Sequence, residues 1–341
     1  MGEDSNKRHK LQQLVKDKTV HLVCHWDADG VTSGAILYHL IKKHAKHIYT
    51  LSKGDVFSVF PEDVSDDAEI IICADIAPGE GLDLSKVVYI DHHPFEDTGK
   101  VLMALHDDAK QSCSLLIWEE LLYDLSDPYL VFLTLLGYFG DGGSRESIPV
   151  ELQVKANDLI PEMMRKNNSF FGNSYYYTIE KFVSALNTGK RLLWRGDVPL
   201  NLLIDIEHHE PFVKGRHQTA QLLETFKAEL RNLYNMDIEL KDSKDFTYAL
   251  IECPANVQGV LCARYIKDKP IIVMNKVNGY VIGSMRVPDD KEFDAGKFLD
   301  KYNEKFETYL GGGHEKAGGF TIKDDEFDDF FGELTSNQEG G

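Results

Sequence analysis

Along the first third of the chain, apolar runs stop on polar residues and helical periodicity takes over. "TVHLVCHWDADG", Thr19 to Gly30, is apolar until His25, and "VTSGAILYHLIKKH" continues with apolar positions at helical spacing. "AEIIICADIAPGEG", Ala68 to Gly81, repeats the strand pattern and stops at Asp75 before a Pro-Gly turn. "KVVYIDHHP", Lys86 to Pro94, repeats it again. Helices are predicted from about Ser112 to Tyr123 and from about Pro128 to Phe139, the second running into "GDGG". Strands alternating with helices predict a parallel sheet with helices on both faces.

The pattern from Pro149 to Gly215 is mixed and mostly helical. "RHQTAQLLETFKAELRNLYNM", Arg216 to Met236, predicts one long amphipathic helix, and "KDSKD" a break. Strand character returns in "FTYALIECP" and "KPIIVMNKVNGYVIGSMRVP", followed by the glycine cluster "GGGHEKAGGF". The expected fold class is α/β. A parallel-sheet domain with flanking helices covers 1–215, a linker helix lies within 216–244, and a smaller α/β domain covers 245–330. An acidic tail, 331–341, is expected to fray.

A length of 341 residues is comfortable for two domains, and 43% hydrophobic content is ordinary for a globular protein. The net charge of −19 argues against nonspecific coating of nucleic acid. It does not argue against a nuclease that brings its own divalent cations. The five cysteines form no Cys-x-x-Cys pair, so neither a disulfide framework nor a zinc knuckle fits them. Cys24 and Cys73 lie in strand-like runs and read as small buried apolar residues. No apolar run reaches membrane-spanning length and "MGEDSNKRHK" has no secretory apolar region, so the expectation is a cytoplasmic protein with no membrane partner.

Three strand runs end on residues that ligate metals: His25, Asp27 and Asp29; Asp75; and Asp91, His92 and His93. Parallel strands of an open α/β sheet share their carboxyl edge, where ligands bind, so these segments are expected to converge. Asp141 in "YFGDGG" is a fourth candidate at that edge. Crowded carboxylates repel one another unless cations neutralise them. A mixed Asp and His set suits Mn²⁺, and two ions sharing a carboxylate would lie ~3.5–4 Å apart. Asp75, alone on its strand end, is the natural bridge. Taken singly, Asp-x-Asp-Gly reads as a turn and His-His as a surface feature; the repetition at three strand ends changes that. "EHHE", Glu207 to Glu210, serves as a control, since no strand leads into it and it reads as a solvated helix end.

The glycines of "GGGHEKAGGF" allow backbone N–H groups to line a phosphate-sized concavity, with His314 as a donor and a helix start adding its dipole. Taken alone, the glycine run reads as a flexible loop. Arg286, near a strand end, offers a planar fork for phosphate.

"HWDADG", "CAD", "DHHP" and "YFGDGG" resemble, in order and spacing, the four motifs of the DHH phosphoesterases, and "GGGHEKAGGF" is similar to the motif of their companion DHHA1 domain. The resemblance covers roughly 18–145 and 245–325. It implies a two-domain phosphodiesterase with two Mn²⁺ ions, for which Mg²⁺ or Co²⁺ could substitute. It implies His25 and Asp27 on one ion, Asp29, His92 and Asp141 on the other, and Asp75 bridging. It further implies that Asp91 orients a ligand histidine, that His93 contacts the scissile phosphate, and that Arg286, Gly312, Gly313 and His314 hold a nucleotide phosphate. One departure is His25, where RecJ-type members commonly carry Asp. The length and motif set look most like archaeal RecJ-like nucleases.

The leading expectation is an exonuclease on single-stranded DNA or RNA, working 3′→5′ and releasing mononucleotides, with a replication or repair protein such as a helicase as a partner. Trp26 or Tyr175–Tyr177 could stack on bases, although the tyrosine run reads more readily as packing. A phosphodiesterase for cyclic dinucleotides or very short oligonucleotides is the second expectation. A silent scaffold in a replication or repair assembly is the third, and a full set of ligand positions speaks against it.

Overall fold

The computed structural model describes residues 3–336 except 55–57, 95–97 and 169–174. Phe95 and the end of the acidic tail therefore lie outside the described residues. The chain divides into two compact units at Ala228/Glu229.

The first unit opens with α1 (Glu3–Leu14) and builds a five-stranded sheet. Its strands are β1 (Thr19–His25), β2 (His47–Lys53), β3 (Ile70–Ala74), β4 (Val87–Asp91) and β5 (Met103–His106), in the order β2-β1-β3-β4-β5. Every neighbouring pair is parallel. The apolar runs are continuous because both faces are covered. Val20, Leu22 and Cys24 of β1, with Ile70, Ile72, Val88 and Ile90, face one buried cluster; Val23, Ile71, Cys73, Val87 and Tyr89 face another. Helices α2 (Ala28–Ile41), α3 (Cys113–Ile117) and α4 (Pro128–Gly140) pack in the first cluster. In the second, among the described residues, none lies in an α-helix. Helices on both faces are thus not what forms. Val59, Ala68, Ile76 and Leu82 supply the cover from connecting segments, because among the described residues the links from β2 to β3 and from β3 to β4 carry no α-helix.

Helix α2 starts where Asp27, the N-cap, accepts a hydrogen bond from Gly30 N at 3.1 Å. Helix α3 starts on Ser112, whose hydroxyl accepts from Leu115 N, and continues as a π-helical turn over Trp118–Leu122. Beyond α4, helices alternate with a two-stranded ladder pairing Lys166–Asn168 with Tyr175–Tyr177. Helix α5 (Gln218–Tyr234) spans the division, and its Ala220 and Leu223 belong to the first core.

The second unit has a six-stranded sheet in the order Lys241–Asp242, β6 (Thr247–Ile251), β7 (Ile271–Val277), β8 (Tyr280–Arg286), β10 (Ala317–Lys323) and β9 (Leu310–Gly313). Only β6 and β7 pair in parallel, joined by α6 (Gln258–Tyr265). Strands β7 and β8 form a hairpin over Asn278-Gly279, both at positive φ (52° and 80°), the conformation a type I′ turn requires. Helix α7 (Ala295–Asp300) packs against β9 and β10. The chain does not fray at 330: α8 (Asp324–Ser336) carries Phe327, Phe330 and Leu334 into the second core. Their helical spacing is easily overlooked among the acidic residues of that segment.

Candidate metal centre

The carboxyl ends of β1, β3 and β4 place the three ligand segments side by side, as the shared edge of a parallel sheet demands. His25 Nδ1 lies 3.2 Å from Asp27 Oδ1 and 3.6 Å from Asp75 Oδ2. His92 Nε2 lies 3.4 Å from Asp75 Oδ1, 3.5 Å from Asp141 Oδ2 and 4.0 Å from Asp29 Oδ2. The two oxygens of Asp75 thus face different ligand groups: His25 with Asp27, and His92 with Asp29 and Asp141. Asp75 itself has a φ of 58°, a left-handed backbone uncommon for a residue with a side chain. Strain of this kind persists where surrounding structure enforces it.

Asp29 does not extend from a strand end but sits in the first turn of α2, 1% exposed. The start of α3 holds it: Asp29 Oδ2 accepts from Cys113 N at 2.7 Å and Oδ1 from Ser114 N at 3.0 Å. Gly137 of α4 allows this approach, since a Cβ there would stand 2.5 Å from Asp29 Oδ1. Asp141 caps the end of α4, with its N–H donating to Gly137 O at 3.0 Å.

Asp91 does orient a histidine, but it is His93 rather than the ligand candidate His92. Asp91 Oδ1 accepts from His93 N at 2.9 Å and pairs with His93 Nδ1 at 2.8 Å. His92 Nδ1 is instead 3.1 Å from Lys110 O, which turns Nε2 into the cluster. The reason is steric: adjacent side chains diverge, and Asp91 can serve only the ring that folds back toward it. His93 is 55% exposed, so its ring is accessible from solvent.

The electrostatics follow from carboxylate crowding. Burial, then the charges of Asp75 and Asp141, raise the Asp29 carboxyl well above its ordinary value. Burial pushes Asp141 up to about 6. Asp27 is driven down against the cost of burial, by His25 and Lys190. Burial disfavours the charged imidazoles, yet surrounding carboxylates raise His25 and His92 to about 10. The Asp91 hydrogen bond raises His93. A site that binds protons this strongly is one whose negative charge calls for cations. The residues fit a divalent pair: the donors are mixed Asp and His, and the buried atoms Asp75 Oδ1 and His92 Nε2 lack hydrogen-bond partners.

Other predicted positions fall elsewhere. His208 of "EHHE" is exposed, whereas His209 packs its ring on Phe132 and pairs with Glu162 at 2.7 Å. Tyr177 and Trp26 are buried; Tyr175 lies under Lys166, whose Nζ is 4.2 Å from the ring centroid. Lys190, which nothing in the local pattern singles out, places its Nζ 3.2 Å from Asp27 Oδ2.

In the second unit the glycine cluster is a β-hairpin, not a loose loop. Arg286 ends β8 opposite Ala317 of β10, and Gly313 of β9 pairs with Gly318. Arg286 and Gly313 are therefore two strands apart at one end of the sheet, roughly 10 Å. Gly312 has open space where a Cβ would stand, Gly313 has φ 138°, and His314 is exposed. The helix start does not offer its dipole to an anion, because Ala295 N and Gly296 N donate to Glu315 O and His314 O.

The family model of the DHHA1 domain matches residues 256–338. No curated protein matches the chain by sequence. A crystal structure of exonuclease RecJ bound to manganese superposes with a TM-score of 0.65 at 16% identity, over 99% of this chain and 94% of that one. RecJ from Thermus thermophilus in complex with Mn²⁺ also gives 0.65, at 18% identity; the match covers 98% of this chain and 54% of that longer one. CDC45 from Entamoeba histolytica gives 0.54 at 11% identity, over 99% of each chain. At such identities the likeness is one of fold. The DHHA1 model thus matches the second unit, and the chain shares the fold of RecJ across nearly its whole length.

Proposed function

We propose that this metal-dependent phosphodiester hydrolase is an exonuclease on single-stranded DNA or RNA, working 3′→5′ and releasing nucleoside monophosphates in replication or repair. The observation that carries the reading is Asp75, whose two oxygens face two separate ligand groups. That arrangement suits two Mn²⁺ ions: His25 and Asp27 would hold one, Asp29, His92 and Asp141 the other, with Asp75 between them. Such a pair supplies Lewis acidity toward the phosphoryl oxygens and an activated water.

The chain's own residues do the rest. The N–H groups of Cys113 and Ser114 keep Asp29 in place. Asp91 holds the His93 ring and favours its cationic form, a donor for a nonbridging oxygen of the scissile phosphate. Arg286, with Gly312, Gly313 and His314 at the hairpin, would hold a terminal nucleotide phosphate, which suits attack from a 3′ end. The likeness to an exonuclease, RecJ, supports cleavage from a chain end; single strands as substrate and a helicase-type partner follow from the motif resemblance. A silent scaffold is disfavoured because every ligand position carries Asp or His.

The test incubates the full chain and Mn²⁺ with DNA and RNA single strands of graded length, labelled at either end. Mononucleotides released progressively from the 3′ end are expected. Cleavage confined to oligonucleotides shorter than about five residues would replace this reading with the short-substrate one.

A further inference from the structure

The segment from Asn187 to Asp197 comes from the stretch with the weakest sequence pattern, yet it folds onto β2 and the residues that follow β1. Asn187 Oδ1 accepts from Ala28 N at 3.1 Å, and Gly196 N donates to Ser52 O at 3.2 Å. Trp194, at φ 55°, brings its ring centroid to 6.3 Å from that of Trp26. These contacts fix the position of the π-helical turn Gly189–Leu193 and of the lysine within it.

Lys190 Nζ is 3.2 Å from Asp27 Oδ2. The other oxygen of Asp27 is engaged elsewhere, by Gly30 N at 3.1 Å and toward His25 Nδ1 at 3.2 Å. An ammonium has three donors, and Asp27 is the one hydrogen-bond partner of Lys190 among the described residues. With 22% of the side chain exposed, its remaining donors can reach solvent. The simplest alternative is a surface ion pair worth about 0–1 kcal/mol. Two features count against it. The partner carboxylate belongs to the metal cluster, and the lysine brings positive charge to that cluster in a protein of net charge −19. Lysine, a compact charge on a flexible stem, suits a phosphate whose position changes during reaction.

We propose that Lys190 is a positioning residue for substrate: it holds Asp27 through Oδ2 and donates to a nonbridging oxygen of the substrate phosphate on the His25–Asp27 side. The proposal rests on the phosphodiesterase reading above. It adds a cation that the motifs do not contain.

The test compares wild type with Lys190→Ala, Lys190→Met and Lys190→Arg in the full chain. It measures Mn²⁺ binding by calorimetry without substrate, inorganic phosphate binding to the Mn²⁺-loaded protein, and kcat and KM on a single strand. The expected result is unchanged Mn²⁺ stoichiometry, phosphate binding and kcat/KM weakened about 10–100-fold in the Ala and Met variants, and partial recovery in Arg. Unchanged phosphate binding in both Ala and Met variants overturns the proposal, as does loss of Mn²⁺ stoichiometry with phosphate affinity intact. If wild type hydrolyses no strand, the proposed function fails, while the phosphate measurement still decides the role of Lys190.

Discussion

In the first unit the candidate ligands are buried or half-buried and tied to backbone, Asp29 by Cys113 N and Ser114 N, Asp27 by Gly30 N and the His92 ring by Lys110 O, while Asp91 beside them is held by His93 N. In the second unit His314 is exposed on a hairpin, and among the described residues Arg286 hydrogen-bonds through Nη1 to the carbonyl of Met285 alone, at 2.8 Å. The contrast teaches what each place is built to do. Cations tolerate little error in ligand position, so their donors are fixed in advance. The proposed hold on a chain terminus through its phosphate would fall to longer, adaptable side chains and open glycine backbone.

The largest effect should come from the residue that serves both ligand groups. Asp75→Ala is expected to reduce hydrolysis to background and to lower Mn²⁺ stoichiometry by calorimetry. Full activity in this variant would dissolve the site.

Asn275 tests whether the units are independent. It is fully buried and ties the loop before α6, pairing with Cys253 N at 2.9 Å, Cys253 O at 3.0 Å and Ala255 O at 2.9 Å. Asn275→Ala leaves these groups unsatisfied and should destabilise the second unit by about 2–4 kcal/mol in chemical denaturation. Mn²⁺ binding by the first unit should be unaffected.

Asp91→Asn keeps the shape but removes the charge that holds His93. Turnover should fall about 10–100-fold, with Mn²⁺ affinity within a few-fold of wild type. A matching loss of metal would make Asp91 a ligand.

Acid should act on the first site through Asp141. Burial, opposed by His92 and reinforced by Asp27 and Asp75, lifts its carboxyl to about 6. The folded chain therefore holds this proton at a pH where an ordinary carboxyl has lost it, and the proton competes with the cation. Protons on His25 and His92, held up to about 10, compete with the cation over a wider range, and below pH 6 the Asp141 proton should add a further loss of Mn²⁺ affinity of about tenfold per pH unit. The same titration on Asp141→Asn should lose that step.

The smallest effect should be His314→Ala, with KM raised several-fold and kcat and Mn²⁺ binding preserved, as for an adaptable contact to bound substrate.

The apolar strands, their polar ends and Asp75 as the residue standing alone between two ligand groups were legible because a parallel sheet leaves that pattern in local sequence. The second core was less legible: Phe327, Phe330 and Leu334 lie among acidic residues, and their helical spacing is outweighed by charge in a compositional reading. The cover on the second face of the sheet was not legible either, because isolated residues such as Val59 and Leu82 carry no period.

What the sequence determined alone is that strand ends bearing Asp and His share one edge, since parallel pairing makes that convergence unavoidable. Tertiary structure decided which atoms meet. The division of Asp75's oxygens, the capture of Asp29 by the start of α3, the choice of His93 over His92 as Asp91's partner and the arrival of Lys190 at Asp27 all depend on side-chain direction and on contacts between segments as much as 163 positions apart. Local periodicity holds no information about such pairs, because they are fixed only when separate elements pack against one another.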